Sequence, residues 1–252
     1  MRRSEPPKKE NLVRINRYLS MCGIASRRKV EQLVLDGKVS VDKKVVTDLA
    51  TKVDPSRNKV FVNGKQVLQT QELVYLVMNK PKDTITTLSD ERGRTTVMSL
   101  LKSRHRVFPV GRLDRNTTGV LLFTNDGEFA NRLMHPRYKM PKSYKVTCEK
   151  TVTREVLDQL SKGVHLEDGI TGPADVYVIP GKRGKEIGIT IHEGRNRQVR
   201  KMFEKLGHEV TKLDRVAYGP ITTAGLGRGE VRGLTRAEVR TLKIMAGIQS
   251  EE

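Results

Sequence analysis

Residues 111–127 read Gly-Arg-Leu-Asp-Arg-Asn-Thr-Thr-Gly-Val-Leu-Leu-Phe-Thr-Asn-Asp-Gly, and this stretch decides how the chain is interpreted. It places the carboxylate of Asp114 between the guanidinium groups of Arg112 and Arg115, just before an apolar, strand-like run at 120–123. Neighbouring cations favour the ionised form of a carboxylate, so we expect Asp114 to be a charged nucleophile or base. The two arginines suit a phosphate group or the face of a base. Taken alone, an Arg-Leu-Asp triplet is more often a structural ion pair in a surface loop.

A second dense cluster of polar residues lies at 191–203, with the sequence Ile-His-Glu-Gly-Arg-Asn-Arg-Gln-Val-Arg-Lys-Met-Phe. It predicts a helix that begins at Arg195 and stops at Gly207, with a buried stripe formed by Val199, Met202, Phe203 and Leu206. On this helix Asn196 and Arg200 would share a half-buried flank, where an arginine normally needs an anionic partner. Arg197 would face solvent or RNA.

The overall charge of the chain indicates the kind of partner it binds. Its 252 residues include 48 Lys and Arg against 29 Asp and Glu, a formal net charge of +19 that favours a polyanion such as nucleic acid. No apolar run approaches the roughly 20 residues of a membrane span, and the first ten residues lack the apolar core of a signal peptide. We therefore expect a soluble, cytoplasmic protein that binds nucleic acid.

Motifs for metals and cofactors are missing from the sequence. The two cysteines, Cys22 and Cys148, stand outside any Cys-x-x-Cys pair, and the five histidines show no metal-ligand spacing. Neither a GxGxxG motif nor a P-loop occurs, so we expect no nucleotide cofactor and no metal.

The first part of the chain is predicted to be a small separate domain. Helices are expected at 12–21 and from Ser26 to Gly37, strands near 39–41 and 60–62, and a hairpin turn at Asn63-Gly64. Three cations fill the first turn of the second helix, where the helix dipole disfavours positive charge, and this favours a phosphate-binding site formed by Arg27, Arg28 and Lys29. The predicted divisions are a disordered basic tail at 1–11, this domain at 12–66, a linker at 67–72 and a large domain at 73–248.

The large domain shows strand and helix signals without a repeating βαβ rhythm. Strands are predicted at 73–79 and near 107–110, 119–124, 143–148, 174–179 and 186–192. Helices are predicted to start at Asp126, Thr153, Arg195 and Thr235, the last with a capping box to Glu238. This pattern predicts an α+β fold with a mostly antiparallel mixed sheet.

These motifs resemble those of known RNA-modifying enzymes. The run at 111–127 resembles the catalytic motif of RNA pseudouridine synthases, in the form found in the RsuA/RluB family and closest to its RluB-like members. The Gln198-Val199-Arg200 triplet matches a further family motif, and Lys80-Pro81 resembles another, although Lys82-Asp83 follows where many relatives carry a glycine. In the first domain, the segments beginning at Arg14, Gly23 and Gly37 resemble the S-four-type RNA-binding domain.

The resemblance implies a role for each of these residues in converting uridine to pseudouridine in ribosomal RNA. Asp114 would promote cleavage of the glycosidic bond, by attack on the ribose or by removing a ribose proton, with Arg200 as its partner and Tyr144 stacked on the uracil. Base flipping and substrate binding would fall to Arg112, Arg115, Asn196 and Arg197. RNA contacts would come from Arg14, Arg17, Arg27, Arg28, Lys29 and Lys80.

Several alternatives remain open from the sequence. The target RNA is expected in the large ribosomal subunit by likeness to the RluB type, but relatives that act on small-subunit RNA share the same motifs. A non-catalytic ribosome-assembly factor has no need of Asp114, Tyr144 and Arg200 together. An RNA methyltransferase would need a glycine-rich cofactor loop after an early strand. We expect a monomer that binds ribosomal RNA or a subunit precursor.

Overall fold

A computed structural model describes residues 12–68, 72–88 and 90–248 of the chain. The tail predicted at 1–11 and part of the linker predicted at 67–72 lie outside the described residues. The chain forms two compact units that divide between Leu73 and Val74. The finer boundaries at 66 and 72 stay a prediction.

The described residues of the first unit form two short helices and six short strands. The helices are α1 (Ile15–Met21) and α2 (Arg27–Leu35), and the strands are β1 (Val13–Arg14), β2 (Val39–Val41), β3 (Lys44–Val46), β4 (Lys52–Val53), β5 (Val60–Val62) and β6 (Lys65–Val67). The Ser26 side chain accepts a hydrogen bond from the backbone N–H of Lys29 and so starts α2 as predicted. Asn63 and Gly64 both have positive φ, which suits the tight turn between β5 and β6.

The second unit is built on one large sheet. Its strands are β7 (Tyr75–Lys80), β8 (Phe108–Pro109), β9 (Thr117–Thr124), β10 (Lys142–Cys148), β11 (His165–Leu166), β12 (Gly169–Ile170), β13 (Asp175–Val178), β14 (Glu186–Ile191), β15 (Val210–Tyr218), β16 (Ile221–Thr222) and β17 (Val231–Gly233). The main path across the sheet runs β13-β14-β10-β15-β9-β7-β17, and β8 and β16 pair at its side. Among the described strands of this sheet, only the β15–β9 pair is parallel. The predicted mixed, mostly antiparallel sheet is therefore confirmed.

Among the described residues, four α-helices cover the two faces of this sheet: α3 (Gly127–Met134), α4 (Arg154–Lys162), α5 (Gln198–Lys205) and α6 (Arg236–Met245). Helices α4 and α5 contribute to the larger apolar core, and α3 and α6 contribute to the smaller one. Asp126, Thr153 and Thr235 cap the helices that they were predicted to start, and Thr235 forms the capping box with Glu238.

Helix α5 and strand β15 of the second unit differ from what the sequence predicted. Helix α5 begins at Gln198, not at Arg195, because Arg197 adopts a left-handed conformation that ends the preceding loop. Strand β15 was not predicted, although it lies between β10 and β9 and joins the two halves of the sheet.

Candidate active site

The loop between Val110 and β9 carries Asp114. Gly111 has a φ of 72°, so the chain turns there in a conformation that few other residues adopt. Thr86 fixes the next part of the loop, because its hydroxyl donates to the carbonyl oxygen of Leu113 at 2.8 Å. The carbonyl oxygen of Asp114 accepts from the backbone N–H of Thr117 at 3.0 Å. The backbone of this loop is thus held in place while the Asp114 side chain remains partly exposed.

The buried side chain of Lys80 binds the backbone of the same loop. Its ammonium group, 0% exposed, donates to the carbonyl oxygens of Asp114, Arg115 and Thr117 at 3.1, 3.3 and 2.9 Å, and to that of Pro81 at 3.0 Å. Burial lowers the pKa of Lys80 to about 8, and the charge of Asp114 opposes that shift. The prediction that Lys80 contacts RNA is wrong, because a side chain with no exposed surface and four backbone acceptors cannot reach a phosphate.

A cleft of about 210 Å³ opens beside Asp114. Tyr144 of β10 lines it and is 8% exposed, so the ring forms part of the wall. Five cations and one carboxylate line the cleft, and they are Arg112, Lys142, Arg195, Arg197, Arg215 and Asp114. A cleft with this charge attracts the phosphate backbone of RNA.

Arg200 lies on α5 and is 8% exposed. Its guanidinium donates to the carbonyl oxygen of Val210 at 2.7 Å. Burial and the charge of Arg197 lower the pKa of Arg200, whereas the charge of Asp114 acts to raise it. The charge of Asp114 thus favours the charged form of Arg200, but within the described residues the two side chains form no ion pair within 4.0 Å.

The other predicted substrate-binding residues are exposed. Arg112 and Arg197 line the cleft, whereas Arg115 pairs with Asp83 at 3.2 Å outside it. Asn196 was predicted to share a helix flank with Arg200, which is wrong because Asn196 is an exposed loop residue before α5.

Three cations of the cleft were not predicted as site residues. Arg195 binds the carbonyl oxygens of 168–170 and pairs with Glu193 at 3.3 Å, which fastens the loop before α5. Lys142 stands two residues before Tyr144. Residues two apart on a strand lie on the same face, so this spacing could have indicated that Lys142 lines the cleft with Tyr144. Arg215 was missed because its strand was missed.

In the first unit, the predicted RNA-binding residues are all exposed. They are Arg14, Arg17, Arg27, Arg28 and Lys29. The three cations occupy the first turn of α2, and positive charge beside the start of a helix suits a phosphate.

Over the described parts of the chain, no group of three or more His, Cys, Asp or Glu side chains is placed to hold a metal ion. None of the helices described is long and apolar enough to cross a membrane.

Comparison with known proteins identifies the class of enzyme to which this fold and this cleft belong. Residues 74–205 match the RNA pseudouridylate synthase family model, residues 13–58 match the S4 domain, and the chain belongs to the RNA pseudouridylate synthase family. It is 44% identical to the ribosomal large subunit pseudouridine synthase B of Bacillus subtilis, over 92% of this chain and 96% of that protein. The predicted membership of the RsuA/RluB family is confirmed.

Two further relatives agree with this assignment. An RNA pseudouridine synthase of Aquifex aeolicus is 43% identical over 94% of this chain and 96% of that protein. The crystal structure of a pseudouridylate synthase superposes with a TM-score of 0.67 at 25% identity, covering 91% of this chain and 99% of that one. The protein is therefore an RNA pseudouridine synthase with an S4 domain at its N-terminal side.

Proposed function

We propose that this enzyme isomerises one specific uridine in large-subunit ribosomal RNA, working as a monomer in the cytoplasm. The observation that carries the proposal is the cationic cleft in which Asp114 and Tyr144 lie together. Likeness to the Bacillus subtilis enzyme, named for the large ribosomal subunit, supports the choice of RNA. The exposed cations of α2 supply a second surface for phosphate.

The proposed mechanism begins when the target nucleotide leaves its stack, at a cost of a few kcal/mol. Arg112, exposed at the cleft, holds the phosphate of the flipped nucleotide or fills the space that it leaves. The uracil then enters the cleft against the ring of Tyr144. Asp114 promotes cleavage of the bond between C1′ and N1, either by attack on C1′ or by removing a ribose proton.

The freed uracil turns in the cleft and its C5 bonds to C1′, as the bond from Asp114 to C1′ breaks or, on the other route, as the ribose regains its proton. C5 then loses its proton and N1 gains one, which gives neutral pseudouridine, and Tyr144 in the cleft wall is the residue placed to assist. The buried guanidinium of Arg200 supplies a positive charge that favours the ionised carboxylate of Asp114. Lys80 and Thr86 keep the Asp114 backbone in place throughout.

The test is carbodiimide mapping of pseudouridine across ribosomal RNA from cells with and without this protein. We expect one large-subunit site to disappear in its absence and to return with the wild-type chain. Asp114→Asn should bind RNA with unchanged affinity but fail to restore the site. Restoration by Asp114→Asn would refute the assignment of Asp114, and loss of a small-subunit site would refute the choice of RNA. If no site were lost, a non-catalytic role in ribosome assembly would be favoured.

A further inference from the structure

Arg215 occupies a central position among the strands that form the cleft. On β15 it lies opposite Tyr144 in the antiparallel pairing with β10, and opposite Gly119 in the parallel pairing with β9. Between Arg215 and Ala217 the register shifts by one residue, which leaves Val216 as the extra residue of a β-bulge. Bulges beside active sites re-aim side chains, and this one accompanies the placement of Arg215 in the cleft wall.

The guanidinium of Arg215 is buried without a counter-charge. The residue is 3% exposed, and its Nε donates to the carbonyl oxygen of Val120 at 2.7 Å. Its buried Nη2 atom has no hydrogen-bond partner, and across the described residues no carboxylate oxygen lies within 4.0 Å of the group. The adjacent Asp214 is bound to Arg228 and Thr118 at 2.8 and 2.6 Å. A buried cation without an anionic partner is costly, so a site that keeps one has a use for positive charge.

A second cation lies beside it. The ammonium of Lys142 is 5.3 Å from the centre of the Tyr218 ring, and the guanidinium carbon of Arg215 is 5.2 Å from the same centre. Burial, with the nearby charge of Arg215, lowers the pKa of Lys142 to about 8, while Glu193 opposes the shift. Glu193 is itself held by Arg195 and Gln198 and does not neutralise the pair.

The proposed reaction generates an anion at this place. When the C1′–N1 bond breaks, its electron pair leaves with N1, and the negative charge spreads over N1, O2 and O4 of the uracil. This holds whether Asp114 attacks C1′ or removes a ribose proton. The charge disappears when C5 bonds to C1′, and C5 then gives up its proton while N1 gains one. We infer that Arg215, assisted by Lys142, stabilises the detached uracil anion and is thus a catalytic residue of this enzyme.

Burial separates this role from phosphate binding, the other use of a cation in such a cleft. Arg112 and Arg197 line the same cleft but are exposed, as a contact to the RNA backbone requires. Arg215 is enclosed and lies across from Tyr144, the residue proposed to face the base. Fixed donors in an enclosed site stabilise developing charge without having to reorganise.

The inference rests on the proposed function, and its test uses the RNA hairpin that the mapping identifies. Two synthetic hairpins carry uridine or 5-fluorouridine at the target position. Fluorine withdraws electrons and makes uracil a better leaving group, so its cleavage needs less help from the protein. Loss of the target nucleoside is measured in single turnovers at saturating RNA, by nuclease digestion and mass spectrometry. The variants are Arg215→Gln, Arg215→Lys and, as a control, Lys212→Gln, which removes an exposed cation of the same strand.

We expect Arg215→Gln to slow uridine turnover by about 100-fold, the usual effect of losing one donor to a developing anion. The loss should be at least about fivefold smaller with 5-fluorouridine, Arg215→Lys should recover part of the rate, and the control should match wild type. Equal losses on the two hairpins with weaker RNA binding would assign Arg215 to a phosphate instead. Equal losses in the Gln and Lys variants, with a matching fall in Tm, would make its role structural. A wild-type chain that consumes no uridine would refute the proposed function itself.

Discussion

Replacing the buried lysine beneath the catalytic loop tests how the loop is held. The substitution Lys80→Met keeps the volume of the side chain but removes the ammonium that binds four carbonyl oxygens, three of them at residues 114–117. Each hydrogen bond from a charged donor contributes about 1.5–3 kcal/mol. Burying the charge offsets most of that gain. We therefore expect the free energy of unfolding to fall by only about 2 kcal/mol, measured by urea denaturation.

The effect of Lys80→Met on turnover should be larger than its effect on stability. Without the lysine the loop loses its anchor, and a displacement of about 1 Å in a reacting group can slow a reaction by about 100-fold. RNA affinity should remain unchanged because the side chain has no exposed surface. The assay is single-turnover pseudouridine formation, with fluorescence anisotropy for binding.

The control for this experiment is Lys82→Met, which removes an exposed lysine two residues away. This substitution should leave turnover and stability unchanged, and RNA affinity is the only one of the three measurements that it can alter. The reasoning about Lys80 would be refuted if Lys80→Met weakened RNA binding and reduced its salt dependence, because that is the signature of a phosphate contact.

Two further predictions concern the strands around the cleft. Gly119→Ala should lower the free energy of unfolding by about 2–5 kcal/mol, since the φ of Gly119 is +100° and a Cβ would collide with the carbonyl oxygen of Arg215. Urea denaturation measures this change. A loss below about 1 kcal/mol would contradict the prediction. Lys142 is charged below its pKa of about 8 and neutral above it, so turnover should decline as the pH rises through 8. Lys142→Arg, which stays charged, should not show that decline, and the same decline in this variant would assign it to another group.

Local signals predicted the α-helices and, apart from β15, every strand of four or more residues among those described. Ser26, Asp126, Thr153 and Thr235 each occupy the N-cap position of the helix that they were expected to begin, because the start of a helix depends only on a few adjacent residues. Strand β15 was missed because charged residues interrupt its apolar pattern. Asp214 accepts a hydrogen bond from Thr118, a residue 96 positions earlier in the chain, and no local pattern reveals such a contact.

The same limit applies to the site. Asp114 and Tyr144 were found from their motifs, and they lie in one cleft. The burial of Lys80 could not be predicted, because three of its four acceptors become available only when β7 lies against the loop after Gly111. Arg215 lies on the same face of β15 as the buried Leu213, two residues earlier, so its position belongs to the core. A charged residue in a sequence is usually assigned to the surface, and this is why its burial was not predicted.

The place of β15 in the sheet also bears on how the protein is synthesised. Strands β7 and β9 lie on one side of it and β10, β14 and β13 on the other, so the sheet stays in two parts until residues 210–218 have been made. Its parallel partner β9 precedes it by about ninety residues, and contacts that distant along the chain slow folding. At a ribosomal rate of about 5–20 residues per second, the nascent chain must remain incompletely folded for several seconds after β9 emerges. A synthase that modifies ribosomal RNA would thus assemble its own catalytic cleft only late in translation.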